Sequence, residues 1–231
     1  MEFFLDILRS VAYGVIEGIT EWLPISSTGH MILAEQVLKF SFSTEFMEMF
    51  RVVIQLGAIL AVVVLYFKKL WPFCADNGRD SGFSRHFRWP VVRLWCKIIV
   101  ACVPAAVLGL LLDDWLDAHL YNSITVALML IIYGIAFIMI ERRPRVPTTT
   151  KLSRITYKQA LIVGAWQVLA LIPGTSRSGS TIIGGLLCGM SRPAASQFTF
   201  FLAIPVMAGA SGLKLVKFLA KGGVFTLAEI S

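Results

Sequence analysis

Two apolar stretches, residues 7–38 and 155–190, are each broken at their centre by proline, glycine and small polar residues. That pair constrains the fold more than any other feature. About 20 unbroken apolar residues read as a membrane-crossing helix. A run broken at mid-length leaves two segments too short to cross comfortably. Non-helical backbone at membrane depth survives only inside protein or beside a wet cavity. The two stretches also match one another. At an offset of 149 residues Pro24 lies on Pro173, Ser26 on Thr175 and Ser27 on Ser176, so that LPISSTGH overlies IPGTSRSG. The shared layout reads as a duplication.

Four further runs have the length to span: 46–67, 91–112, 120–140 and 193–213. The first three separate the two broken stretches, and an odd number of crossings turns the second copy upside down. The expected fold is therefore an all-α polytopic membrane protein with an inverted-topology repeat, whose two re-entrant helical hairpins meet near the midplane. It forms one membrane domain over residues 1–231, with a first repeat over about 1–140 and a second over about 155–231. The first hairpin is followed by three spans and the second by one, so two C-terminal spans are expected to be absent from the second repeat. Composition agrees: 57% of residues are hydrophobic and 15% charged, against about 25% charged in soluble domains. Glu2 and Asp6 stand where a cleavable leader would be basic. Cys74, Cys96, Cys102 and Cys188 lack metal-ligand spacing and read as free packing thiols.

Charge gives an expected orientation. Lys68, Lys69, Arg79, Arg85, Arg88, Arg93 and Lys97 cluster in one segment, and Arg142, Arg143, Arg145, Lys151, Arg154 and Lys158 in another. The connection at 113–120 carries Asp113, Asp114 and Asp117 without a lysine or arginine. Basic segments beside spans mark the cytoplasmic side; they are not read as a nucleic-acid surface. By this count the first hairpin opens outward and the second to the cytoplasm.

The first break is EGITEWLPISSTGH. Glu17 and Glu21, four apart, share a helical face. Pro24 is expected to end that helix, leaving Ser26 or Ser27 to cap the next, with His30 one turn on. A helix N-terminus offers free N–H groups and about half a positive charge, a ready anion site. The second break, GTSRSGS, repeats this: Gly174 and Gly179 allow close backbone approach, and Arg177 adds a planar five-donor fork. Singly, these residues are caps, a solvated helix end, a snorkelling arginine and a satisfied histidine. On equivalent positions of a duplicated hairpin they point to phosphate chemistry. Ser27 or His30 is the candidate nucleophile, with Glu17 or Glu21 as base or ligand of a divalent metal. Arg177 and the amides would hold phosphoryl oxygens. The diphosphate-binding set is Ser26, Thr28, Gly174, Thr175, Ser176, Arg177 and Ser178. Whether Mg²⁺ or Ca²⁺ takes part, and whether the chain forms a homodimer, stays open at this point.

EGITEWLPISSTGH and PGTSRSGSTI resemble the two signature segments of the undecaprenyl-diphosphate phosphatases, also called bacitracin-resistance proteins. The resemblance continues through VVIQLGAILAVVV and FLAIPVMAGAS. It implies a multi-pass enzyme of the bacterial cytoplasmic membrane that removes the terminal phosphate of undecaprenyl diphosphate, regenerating the carrier lipid for wall polymers. It also implies that Glu17, Glu21, Ser27, Thr28, His30, Ser176 and Arg177 are functional. The rival reading is a transporter or flippase of an anionic lipid, which shares this architecture but gives a Ser-His-Glu cluster no work. An acid-phosphatase-type lipid phosphatase needs a second histidine after its Ser-Arg. None follows Arg177, and His86 and His119 are expected in loops.

Overall fold

The computed structural model describes residues 2–74, 86–120, 122–142 and 146–220. Among these the chain is almost wholly helical, with no strand beyond isolated bridges of Phe73 with Phe87 and Thr149 with Met190. The helices are α1 (Glu2–Thr20), α2 (Ser27–Leu38), α3 (Thr44–Leu65), α4 (Phe67–Leu70), α5 (Trp89–Leu120), α6 (Ser123–Glu141), α7 (Tyr157–Val168), α8 (Arg177–Leu187) and α9 (Arg192–Ala220). Four are long and apolar enough to cross a bilayer: α3, α5 over Trp89–Leu112, α6 and α9.

Three sequence expectations need correction. The acidic segment 113–120 is not a connection, because α5 runs on to Leu120. The side chains of Asp113, Asp114 and Asp117 lie outside the described set, as do Arg79, Arg85, Arg143, Arg145 and Lys221. His119 is likewise helical, its ring stacked on Trp115 one turn earlier. The span expected at 193–213 continues to Ala220, carrying Lys214 and Lys217 on its last turns. The four cysteines are free as expected, although Cys96 is exposed rather than packed.

Burial runs opposite to that of a water-soluble fold. Along α1, Phe4, Leu8, Val11, Val15 and Ile19 face outward at helical spacing, while Asp6, Tyr13, Glu17 and Thr20 are buried. A stripe of large exposed apolar side chains is what a helix presents to lipid. Inside, α3 packs along α9 and α5 along α7, around Ile59, Val62, Ile98, Ala101, Val163, Phe198 and Phe201. Gly164 sets the α5–α7 crossing: a Cβ there would lie 2.3 Å from the Ala101 carbonyl oxygen. Such contact between backbones is the packing that small residues permit in membranes.

Local bonds fix where the ends lie. Trp95 Nε1 donates to Leu70 O at 2.8 Å and Lys97 Nζ to Ser153 O at 3.5 Å, joining the two basic segments. Arg192 pairs with Glu141 at the same end. There Gln159 Nε2 also reaches Cys188 O at 3.1 Å, so α8 returns to where α7 began. The start of α3 packs instead on the far end of α9, through Phe46, Met49 and Phe218. The first hairpin closes on itself nearby, Tyr13 donating from α1 to Glu35 of α2 at 2.5 Å.

Candidate active site

The first break begins earlier than its proline suggests. Helix α1 stops at Thr20, not at Leu23. Glu21 N still donates to Glu17 O at 2.9 Å, so the two glutamates share a face as their spacing predicts. The cap of α2 is Ser26, whose Oγ accepts from Gly29 N at 3.3 Å. Its φ of 65° is left-handed, a conformation that costs a non-glycine residue about 1–3 kcal/mol and persists only where surroundings enforce it. His30 Nδ1 donates to Ser26 O at 2.8 Å, since a carbonyl can only accept.

The second break is one residue longer between proline and cap. A 3₁₀ turn, Leu169–Leu171, follows α7, and Ser176 caps α8 by accepting from Gly179 N at 3.0 Å. Here the left-handed residue is Gly174, with φ 86°. It lies hard against α6: a Cβ would come within 2.6 Å of Val126 Cα. Gly174 therefore serves the approach of backbones and does not line the cavity described below.

The two tips meet at one carboxylate. Ser27 Oγ donates to Glu21 Oε2 at 2.6 Å, and Arg177 Nη2 donates to Glu21 Oε1 at 2.5 Å. Arg177 Nη1 reaches the Thr199 carbonyl of α9 at 3.2 Å, and Ser178 Oγ reaches the Leu23 carbonyl at 3.4 Å. Glu21, Ser27 and Arg177 are all largely or wholly withdrawn from solvent. In such surroundings a charged pair interacts far more strongly than in water.

A cavity of about 720 Å³ opens beside this cluster. It exists because α5 and α9 present small residues there, among them Ala105, Gly109, Gly209 and Ala210. Of the sequence-predicted set, Glu21, Ser26, Ser27, Thr28, Thr175, Ser176, Arg177 and Ser178 line it, whereas Glu17 and His30 lie off it. The single hydroxyl proton of Ser27 is directed to Glu21, so His30 does not hold it.

Glu17 is 1% exposed, and neither carboxylate oxygen has a hydrogen-bond partner, although Glu21, Ser27 and Arg177 surround it. Among the described residues no group of three or more His, Cys, Asp or Glu forms a metal cage. Both Glu21 oxygens are engaged. Glu17 is the right kind of donor for a hard cation, which commonly takes one or two carboxylates and completes its shell from phosphates and water.

Four contributors escaped sequence reasoning. Gln55 Nε2 donates to Thr28 Oγ1 at 3.4 Å, orienting that hydroxyl. Arg51 lines the cavity with its Nε 3.2 Å from Glu35 Oε1. Gln167 is buried on the cavity wall with both amide atoms unpartnered. For these three the available signal was a polar side chain inside an apolar run. Thr199 acts through its backbone carbonyl, for which no side-chain pattern exists.

The family model described as bacitracin resistance protein BacA matches residues 10–230. A protein of Enterococcus faecalis named undecaprenyl-diphosphatase is 59% identical over 229 residues, covering 98% of this chain and 81% of that protein. Identically named proteins of Streptococcus gordonii and Streptococcus thermophilus are 53% and 52% identical, covering 99% and 97% of this chain and 80% and 77% of theirs. With a match of that extent running through both hairpins, the chain belongs to the bacitracin resistance protein BacA family.

Proposed function

We propose that this chain is an undecaprenyl-diphosphatase, which hydrolyses undecaprenyl diphosphate to undecaprenyl phosphate and inorganic phosphate and so recycles the carrier lipid of wall synthesis. The observation that carries the chemistry is the Glu21 carboxylate shared between the Ser27 hydroxyl and the Arg177 guanidinium. A serine needs a base within hydrogen-bond reach to attack at neutral pH. In this mechanism Ser27 Oγ attacks the terminal phosphorus and Glu21 takes its proton. The bond to the bridging oxygen breaks, and undecaprenyl phosphate leaves. Glu21 passes that proton to the departing phosphate. Water then attacks the phosphoserine, its proton going to Glu21 and from there to Ser27 Oγ as the P–O bond to serine breaks, and phosphate is released. Arg177 fixes Glu21, and its buried Nε, which has no partner, is left as a donor for a phosphoryl oxygen. The N–H groups at the starts of α2 and α8 add positive potential. A divalent cation, where one is used, would come held by the substrate's own phosphates and would neutralise their charge, because Glu17 lies off the cavity and both Glu21 oxygens are engaged. His30, off the cavity and tied to Ser26, supports the loop that presents Ser27.

The architecture in this reading is an inverted-topology repeat of two re-entrant hairpins. Support comes from the tip-to-tip contact of Ser178 with Leu23 and from the opposite placement of the hairpin mouths, α7 and α8 at the basic end and α1 and α2 near the start of α3. The basic end is assigned to the cytoplasm. The site then opens toward the outer face, where the cavity runs past Arg51 and Val216.

Phosphate release from undecaprenyl diphosphate by the purified chain in detergent tests the function, since transport needs a second compartment and hydrolysis does not. Turnover is expected from wild type, with Ser27→Ala lacking both turnover and the trapped phosphoenzyme. A phosphoenzyme that persists in Ser27→Ala moves the nucleophile elsewhere.

A further inference from the structure

Gln167 sits in the last turn of α7, 2% exposed, on the wall of the cavity that holds Ser27 and Arg177. Neither its Nε2 nor its Oε1 has a hydrogen-bond partner. Other buried or capping glutamines in the molecule are occupied: Gln55 holds Thr28, and Gln159 closes the capping box of α7. A buried amide is normally satisfied, so one left without a partner on a residue of the cavity wall marks a group kept for a ligand. Its neighbours on that wall agree in kind. Thr175 Oγ1 and Arg177 Nε are also buried and unpartnered. Three residues of one hairpin that line one cavity thus each carry an unused hydrogen-bonding atom. What they share is the ability to donate, and a diphosphate carries acceptor oxygens on both phosphorus atoms.

We propose that Gln167 is a phosphate-binding residue of this site, its side-chain amide donating to a phosphoryl oxygen of the bound diphosphate. The inference rests on the diphosphatase reading above. It gives the second hairpin a ligand on the arm that precedes the break, where sequence matching had placed ligands only after it.

The test compares purified wild type with Gln167→Leu, measuring KM for undecaprenyl diphosphate, Ki for inorganic pyrophosphate and thermal unfolding in detergent. Turnover by wild type is established first, so that failure of the diphosphatase reading is seen separately. Leucine keeps the bulk and removes the donor. KM and Ki are expected to rise about tenfold or more, the worth of a hydrogen bond to a charged group. The melting temperature should hold or rise, because no partner is orphaned. A Ki and KM within about twofold of wild type overturn the proposal, as does a loss confined to kcat. Should Gln167→Leu fail to fold, Gln167→Glu decides on pyrophosphate alone. Replacing the amide donor by a carboxylate must abolish inhibition, and retained inhibition sinks the assignment.

Discussion

In the hairpin of α1 and α2, Ser26 caps the second helix through Gly29; in that of α7 and α8, Ser176 does so through Gly179. Aligned on these caps, the first residue of the second helix is Ser27 in one and Arg177 in the other, followed by Thr28 and Ser178. Both hairpins thus keep a helix start suited to an anion, but one carries a hydroxyl and the other a cation. The carboxylate they share, Glu21, belongs to the first alone; Ala170 and Leu171 occupy the corresponding stretch of the second. Backbone strain is divided too. The left-handed residue is a serine in the first tip and a glycine in the second. The difference teaches that both hairpins offer a helix start of the kind that suits an anion, whereas the carboxylate between them comes from the first alone.

The sharpest way to break this division is Arg177→Lys. The guanidinium serves Glu21 and the Thr199 carbonyl from two nitrogens and keeps a third, Nε, in reserve, a spread of donors that the one nitrogen of an ammonium cannot span. We expect kcat/KM to fall by about 10²-fold, the scale of losing one aimed donor in a buried site. Near-normal turnover would reduce Arg177 to a helix-end charge.

A smaller effect concerns the second tip's glycine. Gly174→Ala drives a Cβ into the Val126 backbone at 2.6 Å and imposes a left-handed φ on alanine. It should cost about 2–4 kcal/mol, visible as a lowered melting temperature in detergent; an unchanged melt would show that α6 yields freely. The smallest effect belongs to the first tip. Ser26→Gly gives up a cap, worth only a few tenths of a kcal/mol against glycine, and relieves the φ of 65°. Its melting temperature is expected to stay within about 3 °C of wild type or to rise. A large drop would mean that the Ser26 hydroxyl does more than cap.

Much of this was legible in the sequence because its causes are local. Proline, serine and glycine at the breaks, and a carboxylate pair four apart, act through neighbours in the chain. The register between the hairpins was not legible. Pairing Pro24 with Pro173 set Ser27 on Ser176, whereas the caps pair Ser26 with Ser176, because the extra residue is absorbed at Gly174. The partner of Ser27 was open for the same reason. His30 is nearer the expected helix start in sequence, but α1 ending at Thr20 turns Glu21 under the hydroxyl. Gln167 and Thr199 contribute only through tertiary placement, which no spacing along one helix reveals.

The central claim is that the two hairpins form one reacting unit through Glu21, and a double-mutant cycle on kcat/KM tests it most directly. Glu21→Gln, Arg177→Lys and the double variant are measured on undecaprenyl diphosphate under identical conditions. Groups that act as a unit are strongly non-additive, so the double variant should match the worse single within about threefold. Losses that simply multiply would place Glu21 and Arg177 in separate tasks and contradict the account.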